Sequence, residues 1–403
     1  MSAKPEYPVI IVGAGPVGLC TALCLARAGV RCLVLERGPG VAADLRASTF
    51  HPPTLEMLAE LDLTPNILKY GLTVPTWQIR QHETHERAVF DLGVLAADTP
   101  HPYRVQFEQA KFVALALAAA SADPRIDIVF NATASALAQT ADRVEVRWSD
   151  RAGDPATSRA TTAWLIGTDG AGSTIRELTG LVFEGESYPE TTVLATTTFP
   201  FEAHLPELSA VNYVWTADGN YSLLKLPDRW RVSLYPDPGE SPEQMDTPES
   251  IERKLQRIVT RGEAYGVMEH RPYRVHKRIV GSYRVGRVLL AGDAAHINSP
   301  AGGMGMNGGI HDAFNLAGKL ARVLAGESDA LLDLYDRQRR PVACDEILMQ
   351  AERNRNRMRN RDPAFRREEL ARLKAITADA VAAREYLLAS SMITGLRRAA
   401  AIA

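Results

Sequence analysis

The spacing of apolar positions changes twice within the first forty residues. Residues 8–12 (Pro-Val-Ile-Ile-Val) form an uninterrupted β-branched run, the pattern of a strand buried on both faces. Residues 19–28 read as a helix ended by Gly29, and residues 30–35 are a second apolar run that ends in Glu36. Strand, helix and strand within about 30 residues predict one βαβ unit. Strand-like runs recur at 162–166 and 287–291, and a long helix is predicted from about 310 to 324. Between 183 and 275 the pattern differs. The segments 211–216, 221–226 and 230–235 have mixed faces and are separated by Asp218-Gly219-Asn220 and Pro227-Asp228-Arg229. They predict an antiparallel meander whose first pair is a tight hairpin. Residues 72–104, with Trp77 to Arg80 and Ala88 to Phe90, are expected to add strands.

The chemistry sits where strands end. Gly13, Gly15 and Gly18 follow the first strand, with Pro16 between them, and Glu36 lies 18 positions beyond Gly18. Glycines let backbone approach a pyrophosphate, the helix N-terminus offers N–H donors and partial positive charge, and the acid accepts from a ribose hydroxyl. The second strand run leads to Gly167-Thr168-Asp169-Gly170 and on to Arg176; the third ends in Gly292-Asp293. Five glycines then fall between 302 and 309, immediately before the long helix. A carboxylate at a strand's C-terminal end, glycines that bring backbone close and a helix N-terminus together suit a flat, partly anionic ligand.

Composition removes several classes. The 403 residues carry 46 Lys plus Arg against 48 Asp plus Glu, a net charge of −2, too balanced for a nucleic-acid binder. The four cysteines (Cys20, Cys24, Cys32, Cys344) form no C-x-x-C pair, which leaves no readable metal or disulfide framework and points to a reducing, cytoplasmic setting. The apolar stretch at 9–28 is broken by glycines and Pro16, so neither a signal peptide nor a membrane span is expected. His82 and His85 are three apart, not the four of a zincin helix, and no metal is expected. The basic run 353–361 reads as a solvated helix face, and the tail from 375 to 403 as a helix packed on the first domain or on a second subunit of a homodimer.

The motifs, in order and approximate spacing, resemble those of the single-component flavoprotein aromatic hydroxylases of the para-hydroxybenzoate hydroxylase type, over residues 9 to about 324. The resemblance implies an α/β protein: a Rossmann-like FAD-binding domain (1–71, 105–182, 276–345), an inserted antiparallel β-sheet substrate domain (72–104, 183–275) and C-terminal helices (346–403). It implies that Gly13, Gly15, Pro16, Gly18, Glu36 and Arg37 hold the ADP half of a non-covalent FAD and that Asp293 meets the ribityl chain. Pro300, Gly303, Gly305, Met306 and Asn307 would face the pyrimidine edge of the flavin. Arg46, Ser48 and Gln109 would touch FAD, while Asp169 and Arg176 match a motif linked to both FAD and NAD(P)H. Met304 stands where many members carry glutamine.

The implied activity is hydroxylation of a phenolic or heteroaromatic substrate with NAD(P)H and O2 through a flavin C4a-hydroperoxide. Such an enzyme needs a dry, lidded substrate pocket. On the strand at 211–216, Val211, Tyr213 and Trp215 share a face, and Tyr221 leads the next strand; Tyr213, Tyr221 and Trp215 are therefore the expected substrate contacts. Arg231 and Lys225 are the candidates for a substrate carboxylate. The alternative is a same-fold reductase or dehydrogenase that inserts no oxygen. A flavin halogenase lacks its Trp-x-Trp-x-Ile-Pro signature here, and a non-catalytic FAD-binding redox sensor is the reading from another class.

Overall fold

The computed structural model describes residues 7–40, 47–150, 155–300 and 302–403, with Pro189 and Glu190 described by their backbone alone. Two large sheets organise the chain. In the first, the parallel core runs Val288–Leu290, Ser158–Gly167, Tyr7–Val12, Cys32–Leu35, Ile126–Val129. Arg284–Val285 adds an antiparallel edge, and Thr133–Gln139 with Val144–Ser149 forms a side branch off the long strand Ser158–Gly167. The run Val9, Ile10, Ile11 is fully buried, because helices cover both faces of a parallel sheet. Helix Pro16–Arg27 packs on the long helix Gly305–Leu324.

The second sheet has eight strands, in the order His296–Ile297, Val267–Val280, Phe183–Thr197, Trp230–Leu234, Gly219–Lys225, Val211–Thr216, Thr76–Gln81, Arg87–Asp91. One pair departs from the expected antiparallel pattern: Val211–Thr216 runs parallel to Thr76–Gln81, because the chain reaches them from two separate excursions out of the first domain. Leu72–Val74 does not join this sheet. It pairs with Arg104–Gln106 in a small third sheet completed by Thr49–Phe50.

Each face of the eight-stranded sheet has its own cover. Val214, Tyr221, Leu223 and Val232 pack under the amphipathic helix Pro248–Ile258. Trp77, Phe90, Val211 and Trp215 pack under the C-terminal helices, with Leu370, Leu387 and Ile393. The tail was expected on the first domain or a second subunit. It divides: Tyr386, Leu387, Leu388 and Ile393 cover the substrate sheet, where Arg384 and Arg397 both pair with Asp98, while Met392 and helix Ile393–Ala400 pack on the first domain, against helix Ala330–Val342.

Candidate active site

The glycine motifs meet at the C-terminal ends of the parallel strands, where open α/β sheets hold ligands. Gly13 has φ +107°, and a Cβ there would stand 2.6 Å from the Thr168 carbonyl oxygen. A Cβ on Gly18 would stand 1.9 Å from the Gly13 carbonyl oxygen, so helix Pro16–Arg27 sits this close only with glycine at 18. Gly15 differs: nothing lies within 4 Å of its Cβ direction. The helix starts there with Pro16 and no side-chain cap, leaving its first N–H groups open to an anion. Glu36 accepts from the Ala14 N–H at 2.8 Å and the Gly38 N–H at 2.9 Å, beside exposed Arg37.

Asp169 and Arg176 are already engaged within the fold. Asp169 accepts from the Ser173 hydroxyl and the Ile175 N–H, and burial pushes its carboxyl up despite those bonds. Arg176 donates to the carbonyls of Ala294 (3.1 Å) and Ala171 (2.8 Å) and stacks over Phe183. It therefore straps the second motif to the Gly292–Ala294 turn that presents exposed Asp293, rather than projecting into open space. Arg46 lies outside the described residues.

A polar web fixes the loop before helix Gly305–Leu324. Asn307 is fully buried; its Nδ2 donates to the carbonyls of Thr49 and Gly303, and its Oδ1 accepts from the His51 N–H. His51 donates through Nε2 to the Gly302 carbonyl at 2.9 Å. Ser48 bonds Gln106, and Gln109 donates its backbone N–H to Ala47, so Ser48, Gln109, Gly303 and Asn307 come together around one strand end. Met306 is buried, while Gly305 opens a helix with no side-chain cap. Pro300 is exposed and its carbonyl accepts from the Gly303 N–H.

Beyond that loop lies a cavity of about 520 Å³, within the range of roughly 300–1,000 Å³ typical of small-molecule sites. Pro300, Gly302 and Met304 form its end towards the loop, and Trp77, Tyr213 and Tyr386 supply rings. Tyr213 meets Trp77 edge-on at 6.0 Å, and Tyr386 stacks on Phe90 at 4.7 Å. Tyr273, on strand Val267–Val280, and Tyr235, just past the end of strand Trp230–Leu234, join them. Burial pushes the hydroxyls of Tyr213 and Tyr273 up and that of Tyr235 up to about 12, so all three are neutral hydrogen-bond donors near neutral pH.

The chain matches the family described as FAD binding domain over residues 6–351. It is 34% identical over 394 residues to para-nitrophenol 4-monooxygenase of Pseudomonas sp. strain WBC-3, covering 96% of each chain. This chain belongs to the FAD-dependent aromatic monooxygenases. A second relative, 6-hydroxy-3-succinoylpyridine 3-monooxygenase HspB of Pseudomonas putida, is 31% identical over 90% of this chain and 91% of its own. Among solved structures, p-nitrophenol 4-monooxygenase PnpA of Pseudomonas putida superposes with a TM-score of 0.89 at 33% identity, over 98% of this chain and 99% of that one. The cofactor is FAD, and the open Gly15 cradle, the uncapped helix at Pro16 and the carboxylate of Glu36 suit its ADP half.

Three readings of this monooxygenase's sequence need correction. Tyr221 does not face the cavity. The hairpin turn is the two residues 217–218, with Thr216 opposite Gly219, so Tyr213 pairs with Ser222 and Tyr221 with Val214. A turn centred on Gly219 would have put Tyr221 opposite residue 217, on the face of Tyr213; the observed pairing is shifted by an odd number of residues and sends it to the other face, where its hydroxyl bonds His82. Trp215 shares the face of Tyr213 but lies fully buried behind the wall, donating Nε1 to the Arg357 carbonyl. The basic run is a solvated face only in part: Arg353, Arg359 and Arg361 are exposed, but Arg355 and Arg357 are half-buried, all but Arg353 border the cavity, and Arg357 is tied to Glu369 and the Tyr386 hydroxyl. Of the arginine and lysine candidates, Lys225 pairs with Glu202 outside, and Arg231 reaches Ser48. Sequence reasoning missed Tyr235, Tyr273 and Arg104; the last is a charged residue on the short strand Arg104–Gln106, between half-buried Tyr103 and buried Val105.

Proposed function

We propose that this monooxygenase takes electrons from NADH or NADPH and uses O2 to hydroxylate a phenolic or heteroaromatic compound held in the 520 Å³ cavity. One observation carries the reading: the same cavity borders the glycine loop at Gly302–Met304 and the rings of Trp77, Tyr213 and Tyr386. A flat ring lying between those rings and the loop would be within reach of the flavin. FAD, when bound, supplies the redox chemistry, accepting a hydride and activating dioxygen. The chain's residues do the rest. The open N-terminus of helix Gly305–Leu324 aims partial positive charge at the loop and favours an anionic flavin. The apolar walls keep water from the reacting atoms. The neutral hydroxyls of Tyr213, Tyr235 and Tyr273 offer protons to a ring oxygen. The relatives named for a nitrophenol and a hydroxypyridine support a six-membered ring that already bears oxygen. Free thiols at all four cysteines, with Cys344 exposed, support a reducing, cytoplasmic setting.

The test is a panel of phenols and hydroxypyridines assayed for NAD(P)H oxidation, O2 uptake and product under labelled O2. One labelled oxygen per product and matched consumption of NAD(P)H and O2 are expected. Substrate-stimulated NAD(P)H oxidation with no oxygen in the product would replace this reading with the reductase alternative.

A further inference from the structure

Arg104 is 3% exposed and borders the cavity, yet no carboxylate of the described residues pairs with it. Its contacts are a long bond from Nη2 to the Ser390 carbonyl, at 3.5 Å, and the Trp77 ring, with the guanidinium carbon 5.2 Å from the ring centroid. Its Nε–H has no acceptor. The groups that favour its cation are phenols, those of Tyr213 and Tyr386. A buried guanidinium without a counter-charge is costly unless something else supplies the negative end.

Its two neighbours repeat the pattern. The Trp77 indole N–H and the Ser390 hydroxyl are also buried, also border the cavity and also lack partners. An indole N–H and a guanidinium can only donate, and a serine hydroxyl donates readily. Arg104 touches both residues, so three unused donors border one stretch of wall. Buried polar groups of native proteins are nearly always paired, so three orphans in one place point to a missing acceptor.

We propose that Arg104, with Trp77 and Ser390, forms a subsite that reads an acceptor-only two-oxygen substituent, a carboxylate or a nitro group, on the aromatic ring of the substrate. The inference rests on the proposed function and narrows its substrate class. A planar guanidinium presents parallel donors to such a group, and the indole beneath it fixes its plane. The subsite orients one end of the ring, leaving the other for the tyrosine hydroxyls and the glycine loop. Asp237 is the carboxylate on the cavity lining, and its charge is already spent on Lys254 and Arg257.

The experiment titrates the FAD-loaded enzyme with 4-hydroxybenzoate, 4-nitrophenol and 4-ethylphenol, following the flavin absorbance. In Arg104→Met, affinity for at least one of the first two falls about tenfold or more while 4-ethylphenol and FAD content stay as in wild type. A response confined to 4-hydroxybenzoate assigns the subsite to a carboxylate, and one confined to 4-nitrophenol to a nitro group. Unchanged affinity for both overturns the proposal. Should Arg104→Met not accumulate as folded holoenzyme, Arg104→Lys serves: it keeps the charge but loses the planar fork, and wild-type affinities in that variant overturn the proposal equally. If 4-ethylphenol binds wild type as well as the other two, this inference fails and the proposed function stands. If no aromatic compound perturbs the flavin or stimulates NAD(P)H oxidation, the proposed function falls and takes the inference with it.

Discussion

Asp312 and Arg339 face each other at 2.7 Å with neither side chain more than 1% exposed. Arg339 donates Nε to Oδ1, while Oδ2 accepts from His296 Nε2 at 2.8 Å and from the Gly292 N–H at 3.1 Å. The pair thus holds the residue before Asp293 and joins it to helix Gly305–Leu324. Burial alone would raise the Asp312 pKa, but Arg339 and His296 outweigh it and bring it down to about 2. Removing one member leaves an uncompensated charge in the interior, which costs about 3–5 kcal/mol. Arg339→Met is expected to lose that much stability in urea unfolding and to copurify with less FAD. Arg322→Met, which breaks the exposed pair with Glu327, serves as the control and should leave both unchanged. Wild-type stability in Arg339→Met would show that the network is dispensable.

Acid should unfold the protein through histidines kept neutral inside it. Burial, followed by the charge of Arg339, lowers His311 to about 3, and burial with Arg104 lowers His51 well below its ordinary value. An unfolded chain protonates these groups near pH 6.5 while the fold refuses the protons, so stability is full above that pH and falls as pH drops towards 3. Each such group contributes a slope of about 1.4 kcal/mol per pH unit. Asp312 acts lower down: its depressed value adds stability above about pH 3.9 that is lost as pH falls through about 2. Urea midpoints at pH 7.5 and 5.5 check the histidine window. Equal midpoints would mean that His51 and His311 are not held neutral.

The first βαβ unit was legible because its information is local: a β-branched run, glycines at fixed offsets and an acid lie within one stretch of chain. The cavity was not, because no stretch contains it. Tyr213, Tyr273, Arg104 and Tyr386 come from four separate elements and Tyr235 from the end of a fifth, and only the packing of sheets and helices makes them neighbours. The arginine run misled for another reason. One long helical course runs from Ala330–Val342 through a π-helical turn, Ala343–Leu348, to Met349–Arg359, with Pro341 inside it. A π turn shifts the register of the helix beyond it, so a regular 3.6-residue period does not show which arginines point inward. Tyr221 was misplaced by the position of the turn, because any odd shift in pairing inverts a strand.

Asp293 is expected to be the FAD contact whose loss is easiest to read. It is exposed at the end of strand Val288–Leu290, on a turn backed by Arg176 and Asp312. A hydrogen bond from a ribityl hydroxyl to a charged carboxylate is worth about 1.5–3 kcal/mol. Asp293→Ala should therefore bind FAD roughly 10- to 100-fold more weakly, with the fold intact by circular dichroism. Unaltered FAD affinity would remove Asp293 from the cofactor site.

Tyr213 and Tyr221 form a matched pair for testing the cavity. Both are tyrosines on adjacent strands, and both hydroxyls are pushed up by burial. Tyr213 faces the cavity, and its hydroxyl has a backbone hydrogen bond with Gly302 of the glycine loop. Tyr221 faces helix Pro248–Ile258 and spends its hydroxyl on His82 at 2.9 Å. Tyr213→Phe removes a donor from the place where a substrate ring would sit against the loop. The ring is then held less well, and more of the oxygen activated at the flavin should escape as hydrogen peroxide before it is transferred. Hydroxylated product per NAD(P)H should fall and peroxide should rise, with FAD content unchanged. Tyr221→Phe should leave that ratio at the wild-type value and cost only the lost bond to His82, about 0.5–1.5 kcal/mol of stability. Product and peroxide measured per NAD(P)H for both variants decide the matter. Uncoupling in Tyr221→Phe with full coupling in Tyr213→Phe would mean that the substrate lies on the opposite face of the sheet, under helix Pro248–Ile258.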